Sequence, residues 1–93
     1  MRESDLEKKF RRRVKANGGE AYKFVSPGRR NVPDRIVVLR EGRVFFVELK
    51  RPGEKLRPAQ KRELDRLVDK GCDASWIGDE ESMDKWFEDR GLE

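Results

Sequence analysis

Glu48 and Lys50 interrupt the apolar run Val44-Phe45-Phe46-Val47-Glu48-Leu49-Lys50. Side chains alternate across a strand, so Glu48 and Lys50 share a face with Val44 and Phe46, while Phe45, Val47 and Leu49 share the other. Unpaired charges in such a strand are costly. The pair is therefore either a strand-end ion pair or a site where the carboxylate binds a metal and the ammonium positions or deprotonates a water. Asp34 favours the second reading. It opens the preceding run, Arg35-Ile36-Val37-Val38-Leu39, and Glu41-Gly42 is a tight hairpin signal that folds one run back on the other. The antiparallel return brings Asp34 to the end of the sheet where Glu48 and Lys50 lie. A hard cation such as Mg²⁺ takes oxygen ligands and keeps several waters, so one or two carboxylates and a phosphate oxygen suffice to hold it. Such an ion polarises the phosphate and acidifies its bound water.

The chain has no histidine. That excludes a Ser-His-Asp triad, a Cys-His pair, a histidine general base and any His-ligated metal. Hydrolysis would rest on carboxylates, a lysine and a hard metal ion. The one cysteine, Cys72, allows no intrachain disulfide and no zinc-ligand spacing, so a reducing, cytoplasmic compartment is expected. No signal peptide and no membrane-spanning run is legible. Charged residues are 45% of the 93, with a net charge of +4, but they are interspersed with patterned apolar segments, as in a folded chain. Residues 79–93 carry a net −5, leaving +9 on residues 1–78. A basic body with an acidic tail suggests a polyanionic partner on one face.

The elements that must position these residues follow from periodicity. Residues 3–17 form a helix through Leu6, Phe10 and Val14, with Ala16 a further candidate, capped by Ser4 or Asp5 and ended by Asn17-Gly18-Gly19. Residues 20–25 form a first strand, and 26–33 a Gly- and Pro-containing loop. Strands at 35–39 and 44–50 follow. Pro58 starts a helix reaching about Lys70, with Gln60, Leu64, Leu67 and Val68 on one side. A short strand at 74–77 and an amphipathic helix at 80–90 complete the order α-β-β-β-α-β-α. It predicts one domain over residues 1–93, an α/β fold with a mixed sheet flanked by helices.

Gly28-Arg29-Arg30-Asn31-Val32-Pro33-Asp34, Phe46-Val47-Glu48-Leu49-Lys50-Arg51-Pro52-Gly53 and Pro58-Ala59-Gln60 together resemble the PD-(D/E)xK nuclease superfamily, with its restriction-endonuclease-like fold. More narrowly they resemble its VRR-NUC family, in the small stand-alone form found in phages and prophages. The resemblance implies a Mg²⁺- or Mn²⁺-dependent endodeoxyribonuclease similar to Holliday-junction resolvases, a homodimer acting on branched or duplex DNA. It implies that Asp34 and Glu48 ligate the metal, that Lys50 is catalytic, and that a first-helix glutamate joins them. Glu7 shares a helical face with Phe10 and Val14 and is the better match; Glu3, one turn earlier, is the alternative. It also implies a glutamine near the site, Gln60, supporting a metal-bound water or orienting Lys50.

Arg29 and Arg30 before Asp34, and Arg51, Lys55, Arg57 and Lys61 after Lys50, are candidate phosphate contacts. Lys8, Arg11, Arg12, Arg13 and Lys15 on the first helix are weaker ones. Trp76, Trp86 and Phe87 are assigned to core or subunit contacts, with Phe45 added for the latter. Cys72 is read as a buried small apolar residue and Ser26 as a turn start. The competing readings are a DNA-binding module of the same fold without catalysis, and a charged accessory protein.

Overall fold

The computed structural model describes residues 3–93. Its elements are α1 (Asp5–Ala16), β1 (Glu20–Lys23), β2 (Arg35–Val38), β3 (Val44–Leu49), α2 (Pro58–Asp69), β4 (Asp73–Ile77) and α3 (Glu80–Asp89). This is the expected order α-β-β-β-α-β-α. The strands form one mixed sheet in sequence order, with β1–β2 and β2–β3 antiparallel and β3–β4 parallel. A parallel pair cannot be joined by a tight turn, so α2 crosses over the sheet between β3 and β4.

The two faces of the sheet are covered differently. Val37, Phe45, Val47, Leu49 and Ile77 point to one face, where they meet Leu6, Phe10 and Val14 of α1 and Met83, Trp86 and Phe87 of α3 in a single apolar cluster. Rings lock the two helices together: Phe10 of α1 lies 5.2 Å from Trp86, edge-on, and 5.6 Å from Phe87 between centroids. Such pairs add about 0.5–1.5 kcal/mol each beyond their buried area. Trp86, Phe87 and Phe45 are thus core, and burial removes them as subunit-contact candidates. Trp76 alternates to the other face and is 42% exposed. There α2 lies across β4, burying Gln60, Glu63 and Leu64.

Local signals act as the sequence implies. Ser4 caps α1 by accepting from the Glu7 N–H at 3.2 Å. At its other end, Gly18 takes a φ of +83°, and the Gly18 and Gly19 N–H groups close onto the carbonyls of Lys15 and Val14, a Schellman stop that favours glycine. Gly19 is also held by space, because a Cβ there would meet the Val38 carbonyl at 2.6 Å.

Several boundaries differ from expectation. β1 ends at Lys23, and Val25 is 77% exposed, since the chain turns away towards Pro27. The β2–β3 connection is a three-residue loop, Arg40–Gly42, closed by the Leu39 N–H to the Arg43 carbonyl, with Glu41 and Gly42 both at positive φ. Ala16 is exposed because it falls off the four-residue stripe of Leu6, Phe10 and Val14. Val68 is 51% exposed, in an open recess it shares with Ala74, Ser75 and Trp76 of the edge strand β4. Cys72 is half-buried at the surface rather than in the core.

Candidate active site

The end of the sheet at which β2 begins and β3 finishes gathers Asp34, Glu48 and Lys50. Arg35 pairs with Val47 across the β2–β3 ladder, which puts Asp34, the preceding residue, opposite Glu48 and Leu49. The Asp34 carboxylate fastens this end by accepting from the Leu49 N–H at 3.0 Å. Glu48 is only 7% exposed, though it is charged and near a strand end. Lys50 Nζ lies 3.6 Å from Glu48 Oε2, with both side chains largely shielded from solvent.

Gln60 comes from the covering helix. Its Oε1 accepts from the Arg57 N–H at 3.0 Å, closing the first turn of α2, and its amide N–H donates to Glu48 Oε2 at 3.3 Å. The amide thus meets Glu48, where the expectation was a metal-bound water or Lys50. With the carbonyl oxygen committed to the helix start, only the amide nitrogen faces the site, and it selects an acceptor.

The electrostatics of the pair are unfavourable in isolation. Burial, with further push from the neighbouring Asp34 charge, raises the Glu48 carboxyl from its ordinary 4.5 to about 7, and Lys50 offsets only part of this. Burial also raises Asp34, against the Leu49 hydrogen bond, which favours its ionised form. Desolvated carboxylates repelling one another at one sheet end are the arrangement that a cation relieves.

The first-helix glutamates are placed by a residue that sequence reasoning passed over. Arg35, 4% exposed, points to the α1 face. Its guanidinium donates to the Ala21 carbonyl at 3.1 Å, to Glu3 at 3.0 Å and to Glu7 at 3.3 Å. Glu7 is therefore held on Arg35, close enough to Asp34 for its charge to help raise that carboxyl. Glu3 is shared between Arg35 and Arg11, so Arg11 takes Glu3, not Glu7, as its partner. Among the described residues, no three acidic side chains are gathered closely enough to hold an ion together. The signal for Arg35 lay in parity: it shares the inward face with Val37 and Leu39.

The basic candidates divide. Arg29 is bound to Glu63 through two hydrogen bonds of 2.8 and 2.9 Å. Lys61 pairs with Asp65 one turn along α2. Arg30, Arg51, Lys55 and Arg57 are exposed on segments flanking Asp34 and Lys50. A recess of about 700 Å³ opens between Glu3–Leu6 and Lys8 on one wall and Arg51-Pro52 on the other; Asp34, Glu48 and Lys50 do not line it.

The chain matches the model of the VRR-NUC domain over residues 2–78. It belongs to the VRR-NUC family. It is 57% identical over 67 residues to "Putative nuclease p44" of Acyrthosiphon pisum secondary endosymbiont phage 1, covering 72% of each chain. A solved structure described as a VRR_NUC domain superposes with a TM-score of 0.82 at 33% identity, covering 89% of this chain and 90% of that one. The fold and the nuclease-family assignment expected from the motifs both stand. The matched span ends at Gly78, so it includes Asp34, Glu48, Lys50 and Gln60 and leaves out α3. No helix among the described residues is long and apolar enough to cross a membrane.

Proposed function

We propose that this protein is a metal-dependent endonuclease that hydrolyses DNA phosphodiester bonds, with Mg²⁺ or Mn²⁺ held by Asp34 and Glu48. The observation that carries the reading is the pair of desolvated carboxyls with Lys50 Nζ 3.6 Å from Glu48. Their oxygen donors suit a hard cation, and the rise in both carboxyl pKa values is the mark of a site short of positive charge. When bound, the ion would polarise the scissile phosphate and lower the pKa of a water.

The chain's own groups do the rest. Asp34, fixed by the Leu49 N–H, presents its carboxylate at a constant place on the sheet edge. Gln60 orients Glu48 through its amide. Lys50 keeps its proton; its ammonium attracts the attacking water and stabilises the negative charge that builds on the phosphate oxygens. The water gives up one proton to bulk solvent as its oxygen bonds to phosphorus, one P–O ester bond breaks, and the departing oxygen takes a proton from solvent. Glu7, now paired with Arg35, would be the third carboxylate available to the ion.

The finer reading follows the family resemblance: branched DNA is the preferred substrate, cut by a homodimer with two symmetric sites. Purified protein is incubated with plasmid and with four-way-junction DNA, with and without Mg²⁺ or Mn²⁺. Metal-dependent cleavage that disappears in Asp34→Ala supports the proposal. Binding without cleavage under every metal condition would leave a DNA-binding module instead.

A further inference from the structure

A cleft of about 180 Å³ lies between the loop ahead of Asp34 and the outer side of α2, lined by Arg29, Arg30, Asn31, Arg62, Glu63 and Arg66. Four guanidiniums meet one carboxylate there, a net charge of +3. The carboxylate is the unusual member. Glu63 is 6% exposed, although it lies on a helix whose neighbouring residues Arg62 and Asp65 face solvent. It accepts two hydrogen bonds from Arg29 and a third, at 2.8 Å, from Arg66.

This clasp orders the cleft. A guanidinium has five N–H donors in a rigid plane. Arg29 commits two of them to Glu63 and Arg66 one, so the Arg29 plane is fixed and Arg66 is anchored at one nitrogen, while further donors stay available to an acceptor-rich ligand. The loop itself is turned, with Asn31 at a left-handed φ of 66° and the Arg29 N–H on the Ser26 carbonyl. Arg30 and Arg62 add two exposed cations at the rim.

The cleft also lies beside the chemistry. Gln60, which holds Glu48, precedes Glu63 by three residues and Arg66 by six. At 1.5 Å per residue these lie about 4.5 and about 9 Å further along α2. The other wall runs directly into Asp34. Phosphates along one DNA strand advance about 3.4 Å per nucleotide along the helix axis.

We infer that this cleft binds the phosphodiester backbone of the DNA strand, one to three nucleotides from the bond cut at Glu48. Arg30 and Arg62 make the contacts, and Glu63 is a positioning residue that aims Arg29 and Arg66. The inference deepens the nuclease reading and rests on it for the location of the cut bond.

The test reads binding without cleavage. A labelled duplex with 5′-hydroxyl ends is titrated in EDTA over a range of salt, so that neither metal nor terminal phosphate contributes. Each phosphate contact adds about 0.9 to the slope of log affinity against log salt. Arg30→Gln/Arg62→Gln should therefore lower the slope by about 2. Arg40→Gln/Lys70→Gln, in the β2–β3 loop and at the end of α2, makes the same change in net charge and should lower it by much less. Equal drops in both doubles, or no drop in the first, would overturn the site. Glu63→Gln makes the protein more positive, so unspecific attraction predicts tighter binding; positioning predicts weaker binding, with thermal melting reporting that the variant is folded. Tighter binding would remove the role given to Glu63. The arginine double does not depend on that variant, since both positions are exposed. Wild-type protein that shows the cleft-dependent slope but cuts nothing with Mg²⁺ or Mn²⁺ would defeat the nuclease proposal and leave the phosphate site standing.

Discussion

Glu48→Gln should stabilise the metal-free protein at pH 8 while abolishing cleavage. The Glu48 carboxyl ionises at about 7 in the folded chain, against an ordinary 4.5. Between these values the folded state binds more protons than the unfolded one. Stability is therefore fully present below about pH 4.5, falls as pH rises towards 7, and stays lowered above it. At 1.36 kcal/mol per pH unit the cost of the ionised form is at most about 3 kcal/mol, and about 2 once solvent screening near the exposed rim is allowed for. Asp34 is raised as well and acts in the same direction. A glutamine mimics the protonated glutamate, and its carbonyl oxygen still accepts from Gln60. It should raise the melting temperature at pH 8 by roughly 10 °C, given about 4–8 °C per kcal/mol for a domain of this size. Thermal melts at pH 5 and pH 8 in EDTA test this. The two proteins should be nearly equal at pH 5 and well separated at pH 8. Mg²⁺ should then raise the melting temperature of wild type at pH 8 and leave the variant unmoved. A wild-type protein with no loss of stability between pH 5 and 7, or a variant no more stable at pH 8, would refute the reasoning that Glu48 carries an uncompensated charge.

Asp34→Ala should reduce cleavage to background and keep the fold, measured as plasmid nicking alongside circular dichroism; near-wild-type nicking would remove it from the site. Lys50→Ala should lower kcat severely while leaving metal-supported DNA binding in place, so a variant that cuts normally but binds poorly would reverse the role given to Lys50. Glu7→Gln should impair cleavage more than Glu3→Gln, and the comparison is informative because both glutamates contact the same Arg35; equal, mild effects would take α1 out of the chemistry. Light scattering at micromolar concentration should give the mass of a dimer without DNA, and end-labelled junctions should be cut on two opposing strands. Independent nicking by a monomer would refute the resolvase-like reading alone.

The elements and the convergence of Asp34, Glu48 and Lys50 were legible because they depend on local rules. Parity along β3 and a hairpin between β2 and β3 suffice to bring the three together, whatever the rest of the fold does. The partners of the second ring were not legible in this way. Gln60 was placed near the site, with a metal-bound water or Lys50 as its partner, but its contact with Glu48 was not legible, because the competition for its oxygen at the start of α2 depends on backbone geometry. Glu63 was not singled out, since its burial is made by a loop more than thirty positions earlier in the chain. Val68 was expected inside, and only the finite width of the sheet leaves it out.

Arg35 shows why a charge pattern can mislead when it is read along the chain. A cation adjacent to Asp34 in sequence would ordinarily be assumed to neutralise it. Alternation sends the two side chains to opposite faces of the sheet, and Arg35 spends its guanidinium on Glu3, Glu7 and the Ala21 carbonyl. Burial outweighs its influence on Asp34, whose carboxyl stays raised. The buried arginine thus serves the α1 face, holding the first-helix carboxylates in place, while the α2 face keeps Asp34 and Glu48 with Lys50 as partial relief. The site is left short of positive charge because the Arg35 guanidinium is turned to Glu3, Glu7 and the Ala21 carbonyl and offsets only part of the burial of Asp34. That shortage at the end of β3 is the basis on which a divalent cation is proposed there.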